Sequence, residues 1–300
     1  MGPLLETIVN QIQEKNPLHA KKLKSNISSM DESFHNEAEV FFQRYIEFAK
    51  VSGYDLNFGI DSYLKVISDQ VVEQVGFLRT GEYSCKSFED AYNRVYNNHE
   101  VMTYYMHGLL MSQFLWVHHH GILNYFRKNL PSFSKEVTNY LEIGGGHGLY
   151  LSEAINIFSE DCEFTMVDIS KSSLDMGRNF VRNEKVKFIL EDIYKYSNYR
   201  KFDFITMGEV LEHVEDPVAL MCQVNRLLSD NGTAFITVPA NAPAIDHIYL
   251  FENENDILEV FDKAGFKVIN KIIQYSEDLP KEKLIKFKVP MMYGALLKKK

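Results

Sequence analysis

Residues 141–148 read L-E-I-G-G-G-H-G, a glycine turn entered directly from the carboxylate of Glu142. Glycine at Gly144, Gly146 and Gly148 lets the backbone turn tightly and brings main-chain amides close to a ligand. The dinucleotide fingerprint G-x-G-x-x-G would need a third glycine where Leu149 stands, so the spacing here is G-x-G-x-G. A turn of this kind also serves as a plain strand-to-helix connection, and its neighbours decide between the two. Asp168 ends the next apolar run, where a carboxylate can accept hydrogen bonds from both hydroxyls of a ribose. Glu191, Asp192 and Ile193 end a third run, offering a carboxylate and an apolar face to an adenine. A second polar group, Glu209, Glu212 and His213, precedes Asp216 and Pro217. Histidine titrates near neutral pH, and a charged cluster at a strand end suits proton transfer, so His213 is the first candidate for a base.

These residues converge only if the chain supplies a sheet whose strands end together. Short apolar runs at 140–143, 164–167, 186–190, 202–207, 233–238 and 266–274 alternate with helical stretches, which implies a parallel sheet with crossover helices. Ligands of such sheets bind at the carboxyl ends of the strands. The spacing predicts a helix over 149–158 and another over 215–228, with Asp216 as N-cap and Pro217 in the first turn. A last strand-like piece, 289–297, follows the charged linker 276–288 and is expected to pair antiparallel. Before Pro131 nearly every stretch reads as helix, as at 37–50 (Val40, Phe41, Arg44, Tyr45, Phe48) and 62–78 (Leu64, Ile67, Val71, Val75, Leu78). Breaks fall at Asn16-Pro17, Ser52-Gly53, Thr80-Gly81 and Leu130-Pro131. The reading is a helical cap over 1–132, suited to holding a substrate and to dimerisation, and an α/β sheet domain over 133–300.

Within the cap, a helix over 100–125 would align Tyr104, His107, Met111, Phe114 and His118 on one face. His107 and His118 are further candidates for proton transfer, whereas the apolar members read more readily as core. Consecutive His118, His119 and His120 cannot all face one way on a helix, so a three-histidine metal cage is not expected. The Pro-rich loop 239–247 adds Asn241, Asp246 and His247 at the same sheet edge.

Residues 139–238, about a third of the chain, resemble the core of the class I S-adenosylmethionine-dependent methyltransferases, with the motifs in the same order. The stretch 202–217, which contains E-H-V-E-D-P, is similar to the E-H-x-x-D-P form of members acting on small molecules. The resemblance implies a Rossmann-like, seven-stranded, mostly parallel sheet and S-adenosylmethionine as cofactor. By that likeness Glu142 orients the methionine end, Gly144, Gly146 and Gly148 line methionine and ribose, and Asp168 holds the ribose. Asp192 takes the adenine amino group, Ile169 and Ile193 pack on the ring, and Glu209 stands at the sulfonium end.

The 300 residues suit two domains, with 45% hydrophobic and 24% charged residues in the ordinary globular range. A net charge of −9 disfavours nucleic acid, and the N/D-P-P-Y sequence of nucleic-acid amino methyltransferases is absent after the fourth strand. Cys85, Cys162 and Cys222 show neither C-x-x-C nor zinc spacing, so buried free thiols and no metal site are expected. No run is apolar enough to span a membrane and 1–15 lacks a signal-peptide pattern, which points to the cytoplasm. A homodimer is compatible with the large helical lobe. The expected activity is methylation of a small molecule, foremost of a hydroxyl with histidine assistance; a small amine as acceptor, a non-catalytic scaffold and, last, an oxidoreductase are the alternatives.

Overall fold

Polar caps and glycines set the helical boundaries. The computed structural model describes residues 1–300. Helix α1 (Pro3–Lys15) stops before Asn16, whose side chain caps α2 (Pro17–Ser28) by accepting from His19 N–H. Asp31 and Asp55 cap α3 (Glu32–Val51) and α4 (Leu56–Thr80) in the same way, and α4 ends on the left-handed Gly81. The short α5 (Phe88–Ala91) leads through one π turn to α6 (His99–Leu115), capped by Asn98, and then to α7 (Val117–Asn129).

The remaining elements alternate as expected: β1 (Asn139–Ile143), α8 (Leu149–Ile157), β2 (Glu163–Asp168), α9 (Lys171–Val181), β3 (Lys187–Leu190), β4 (Phe202–Gly208), α10 (Pro217–Leu227), β5 (Leu228–Ala240), α11 (Glu254–Lys263), β6 (Phe266–Tyr275), α12 (Lys281–Lys286) and β7 (Met291–Lys299). The seven strands lie in the order β3-β2-β1-β4-β5-β7-β6. β7 runs antiparallel to both β5 and β6, and the other pairings are parallel. Strand order reverses between β1 and β4, the switch point where a crevice opens at the carboxyl edge. The α/β sheet and its helical cap are thus as read from the sequence.

Three corrections follow from packing. The expected helix over 100–125 is two helices, broken where Trp116 takes an extended backbone with no Gly or Pro to mark it. Second, α7 packs on both layers: Ile122 and Phe126 share a core with Phe204, Phe235 and Leu296 of the sheet, while Leu123 joins the cap core. Third, the apolar repeat that marks α4 as a helix is not its buried face: Leu64 and Ile67 are half-buried and Val71, Val75 and Leu78 exposed, as is Val40 of α3. Cys222 is also exposed, unlike Cys85 and Cys162.

The cap is seated on the sheet domain by both apolar and ionic contacts. Leu149, Met176 and Phe180 of α8 and α9 join the cap core around Phe34, Phe41, Phe48 and Phe114. Arg127 of α7 forks onto Glu153 of α8 at 2.8 and 2.9 Å and also reaches Glu37 of α3 at 3.1 Å, and bidentate geometry makes such a pair a strong positioner. Helices α4 and α6 approach so closely that a Cβ on Gly108 would lie 2.8 Å from the Ser62 carbonyl oxygen and 2.6 Å from Val66. Gly108→Ala is therefore expected to destabilise the fold by about 1–3 kcal/mol; an unchanged denaturant midpoint would contradict this close helix contact.

Candidate active site

The turn after β1 explains its glycines. Gly144, Gly146 and Gly148 have φ of +62°, +52° and +74°, where L side chains are strained. A Cβ on Gly146 would lie 3.0 Å from Met106 Sδ of the cap. Gly144 and Gly146 line a large cavity; Gly148 does not, because it faces Val181 and the Gly177 backbone of α9. Its role is to let α8 begin close against α9, which corrects the expectation that it lines the ligand.

Carboxylates close the turn from both sides. Buried Asp168 accepts from Gly146 N–H at 3.3 Å and Ser170 N–H at 2.8 Å, tying the end of β2 to the glycines. Burial pushes its carboxyl up to about 6 against the pull of those amides. Burial raises Glu142 further, to about 8, opposed by the Tyr140 hydroxyl that donates to it at 3.3 Å and assisted by the charge of Asp168. Ile169, Asp192 and Ile193 line the same cavity from the ends of β2 and β3.

At the end of β4 the chain holds Glu209 at φ +54°, a strained value for a residue with a side chain. Thr237 of β5 maintains it: the Glu209 N–H donates to the Thr237 carbonyl at 3.2 Å, and the Thr237 hydroxyl donates to the Glu209 carboxylate at 2.6 Å. Burial raises this carboxyl to about 7. One 3-10 turn, Leu211–His213, then puts Glu212 inward, fully buried, and His213 on the cavity wall before Asp216 caps α10.

The loop after β5 completes this wall. Asp246 is buried and accepts from the hydroxyls of Tyr96 at 3.2 Å and Tyr105 at 3.1 Å. His213 Nδ1 lies 3.1 Å from the Asp246 carbonyl oxygen, and His247 Nδ1 lies 2.6 Å from that of Ala242. The two imidazoles meet edge to face with centroids 4.9 Å apart, and burial, then the charge of His213, lowers His247 to about 4. Atoms of Glu212, His213 and His247 gather within 4.8 Å of one another. Asn241, grouped with this loop from the sequence, instead donates to the Glu252 carbonyl and is not on the cavity wall.

The cap contributes a different helical face from the expected one. Met102, Tyr105, Met106, Leu109 and Gln113 of α6 line the cavity. His107 lies on the opposite side, bonded to the Tyr45 hydroxyl at 2.7 Å and packed against Phe48, Tyr54 and Phe58. It is a core histidine away from the cavity, out of reach of the proton transfer expected of it. His118 does line the cavity, stacked on Trp116 with centroids 5.5 Å apart and held down to about 4 by burial. His119 lines it too, with Nδ1 2.8 Å from Ser112 Oγ, while His120 packs on Phe34 and Phe114.

All these walls bound one cavity of about 1160 Å³, above the roughly 300–1,000 Å³ typical of single-ligand sites and sufficient for a nucleoside cofactor with a second small molecule. Residues 118–271 match the family described as a methyltransferase domain. The chain belongs to the class I S-adenosylmethionine-dependent methyltransferases. The cofactor of this methyltransferase is S-adenosylmethionine. It is similar to the ubiquinone biosynthesis O-methyltransferase of Coxiella burnetii, with 30% identity over 118 residues, 38% of this chain and 48% of the relative. It is also similar to the malonyl-[acyl-carrier protein] O-methyltransferase 2 of Ilyobacter polytropus, with 29% identity over 100 residues, 33% of this chain and 38% of the relative. The chain thus spans about half or less of the length of the curated relatives it matches. Among solved structures, mitomycin 7-O-methyltransferase MmcR has the same fold, with a TM-score of 0.53 at 11% identity over 77% of this chain and 68% of that one. No helix is long and apolar enough to cross a membrane.

Glu142 and Glu209 bind protons more tightly folded than unfolded, so folding takes up protons at neutral pH. The stability they contribute is fully present below the unfolded carboxylate range and is lost as pH rises through about 7 and about 8. Relative to Glu142→Gln, the ligand-free wild type is therefore expected to lose melting temperature between pH 6.5 and pH 8.5, and a difference between the two proteins that stays constant over this interval would contradict the burial of this carboxyl.

Proposed function

We propose that this methyltransferase transfers the methyl group of S-adenosylmethionine to a hydroxyl oxygen of a small molecule held between the glycine turn and the cap. The observation that carries the reading is the continuity of the cavity, which runs from Glu142, Asp168 and Asp192 to His213, His247 and His118. In this reading Asp168 accepts from the ribose, Asp192 from the adenine amino group, and Ile169 and Ile193 cover the ring. Gly144 and Gly146 line the methionine portion, Glu142 orients its ammonium, and Glu209 stands near the sulfonium. The O-methyltransferase names of the relatives and the acidic net charge of −9 support a small, hydroxyl-bearing acceptor.

Methyl transfer is an in-line displacement, and the protein aligns the acceptor and removes its proton. A carbonyl only accepts, so His213 Nδ1 beside the Asp246 carbonyl carries its hydrogen and leaves the Nε2 lone pair free. As the acceptor oxygen forms its bond to the methyl carbon, the S–C bond breaks, its electron pair stays on sulfur, and the hydroxyl proton passes to His213 Nε2. His118 lines the acceptor end from the cap. A small amine arriving neutral would need no base, so the His213 dependence of turnover separates hydroxyl from amine acceptors.

Asp168→Ala removes a charged hydrogen-bond acceptor and is expected to weaken S-adenosylmethionine binding about 10- to 100-fold by calorimetry; unchanged affinity would remove the ribose assignment. His213→Ala is expected to lower kcat by about 10²–10⁴-fold with cofactor affinity retained. Undiminished turnover would move proton removal elsewhere in the cavity.

A further inference from the structure

The reaction above leaves Glu212 without a role. Its side chain is fully buried, and neither carboxylate oxygen has a hydrogen-bond partner. A buried carboxylate is costly unless a donor or a cation meets it. Glu212 Oε1 is instead approached by His213 Nε2 at 3.5 Å and His247 Nε2 at 3.8 Å. Both imidazoles have Nδ1 against a backbone carbonyl, of Asp246 and of Ala242, so each Nδ1 carries the hydrogen and each Nε2 presents a lone pair. Two lone pairs and a carboxyl group face one another, and burial, with the charges of Glu209 and Asp246, raises that carboxyl well above its ordinary range, so its own proton is the one donor among them. A single proton shared between Glu212 and one imidazole would leave the other imidazole and the second carboxylate oxygen unpartnered.

We propose that Glu212, His213 and His247 form a binding site for a first-row divalent cation of the Zn²⁺ or Mn²⁺ class, with the hydroxyl oxygen of the methyl acceptor completing the coordination. The second half rests on the O-methyltransferase reading. Two imidazole nitrogens and one carboxylate oxygen make a donor set such cations accept, with positions left open for a ligand. An Nδ1–H held by a main-chain carbonyl is also the usual support of a ligating histidine, fixing its tautomer and ring orientation. Glu212 Oε1 stands 3.5 and 3.8 Å from the two Nε2 atoms, close to the roughly 3.4 Å that bonds of about 2.0–2.2 Å imply in a tetrahedral site, and all three residues offer ligand atoms within 4.8 Å of one another. His213 and His247 line the cavity with Glu212 behind them, so an ion held by all three would stand at the cavity wall.

The cation would acidify the coordinated hydroxyl. Its proton leaves to water, the oxygen lone pair bonds the methyl carbon, and the S–C electron pair departs on neutral S-adenosylhomocysteine. In the metal-loaded protein His213 is a ligand, and release of the proton to water replaces its transfer to His213 Nε2; His213 is needed for turnover by either route. The sequence gives no metal signal because two ligands come from the turn after β4 and the third from the distant loop after β5.

The test uses the full chain stripped with a chelator and then titrated calorimetrically with ZnCl₂ and with MnCl₂. Co²⁺ absorption serves as a ligand-field readout, and S-adenosylmethionine is titrated in parallel. The expected result is about one equivalent of metal in the wild type and at least about tenfold weaker binding in both His247→Ala and Glu212→Gln, with S-adenosylmethionine still bound. Binding to a variant establishes that it is folded, so His247→Ala suffices should Glu212→Gln fail to fold. Absence of saturable metal binding, or equal affinity in wild type and variants, overturns the site. Cofactor binding with full turnover in chelator overturns the cation alone, whereas a wild type that binds metal but no S-adenosylmethionine overturns the methyltransferase reading on which the acceptor's role rests.

Discussion

Carboxylates buried without basic partners govern the carboxyl edge of this sheet. Glu142, Asp168 and Glu212 are buried and Glu209 is half-buried, and no arginine lines the cavity. Taking such charges out of water is unfavourable unless a donor or cation meets them. Asp168 finds backbone amides, Glu142 a tyrosine hydroxyl and Glu209 a threonine, yet burial still raises all three carboxyls. The edge is therefore short of positive charge, which the ammonium and sulfonium of S-adenosylmethionine and a divalent cation would supply.

The rest of the fold holds these groups in place against their own cost. Parallel register aligns Ile143 of β1 with Val167 of β2 and Met207 of β4, so their carboxylate-bearing ends fall at one level. Apolar layers on both faces of the sheet make that level rigid. The cap then closes the crevice from above, held by Arg127 on Glu153 and Glu37. Tyr96 and Tyr105 reach down from it to Asp246, whose carbonyl orients His213, so cap seating and imidazole tautomer are linked through one residue.

Much of this was legible in the sequence because it rests on local rules. Alternating apolar runs predict the parallel strands, Asp216-Pro217 predicts the start of α10, and the glycine spacing predicts the turn, with Asp168 and Asp192 in their expected places on the cavity wall. What escaped depends on packing between distant segments. Helix α6 is apolar on nearly all sides, so periodicity could not choose between the face of His107 and the face of Tyr105, and only the tertiary structure does. Trp116 breaks the helix without the Gly or Pro that usually marks such a point. Gly148 serves the contact of α8 with α9, which no spacing within the motif reveals. His247 meets Glu212 only because β4 and β5 are neighbours in the sheet.

The central claim is that the carboxyl edge of this sheet is an S-adenosylmethionine site. Calorimetric titration of the purified protein with S-adenosylmethionine and, separately, with NADH tests it most directly. Saturable binding of S-adenosylmethionine alone is the predicted result, whereas binding of NADH alone, or of neither, would contradict it.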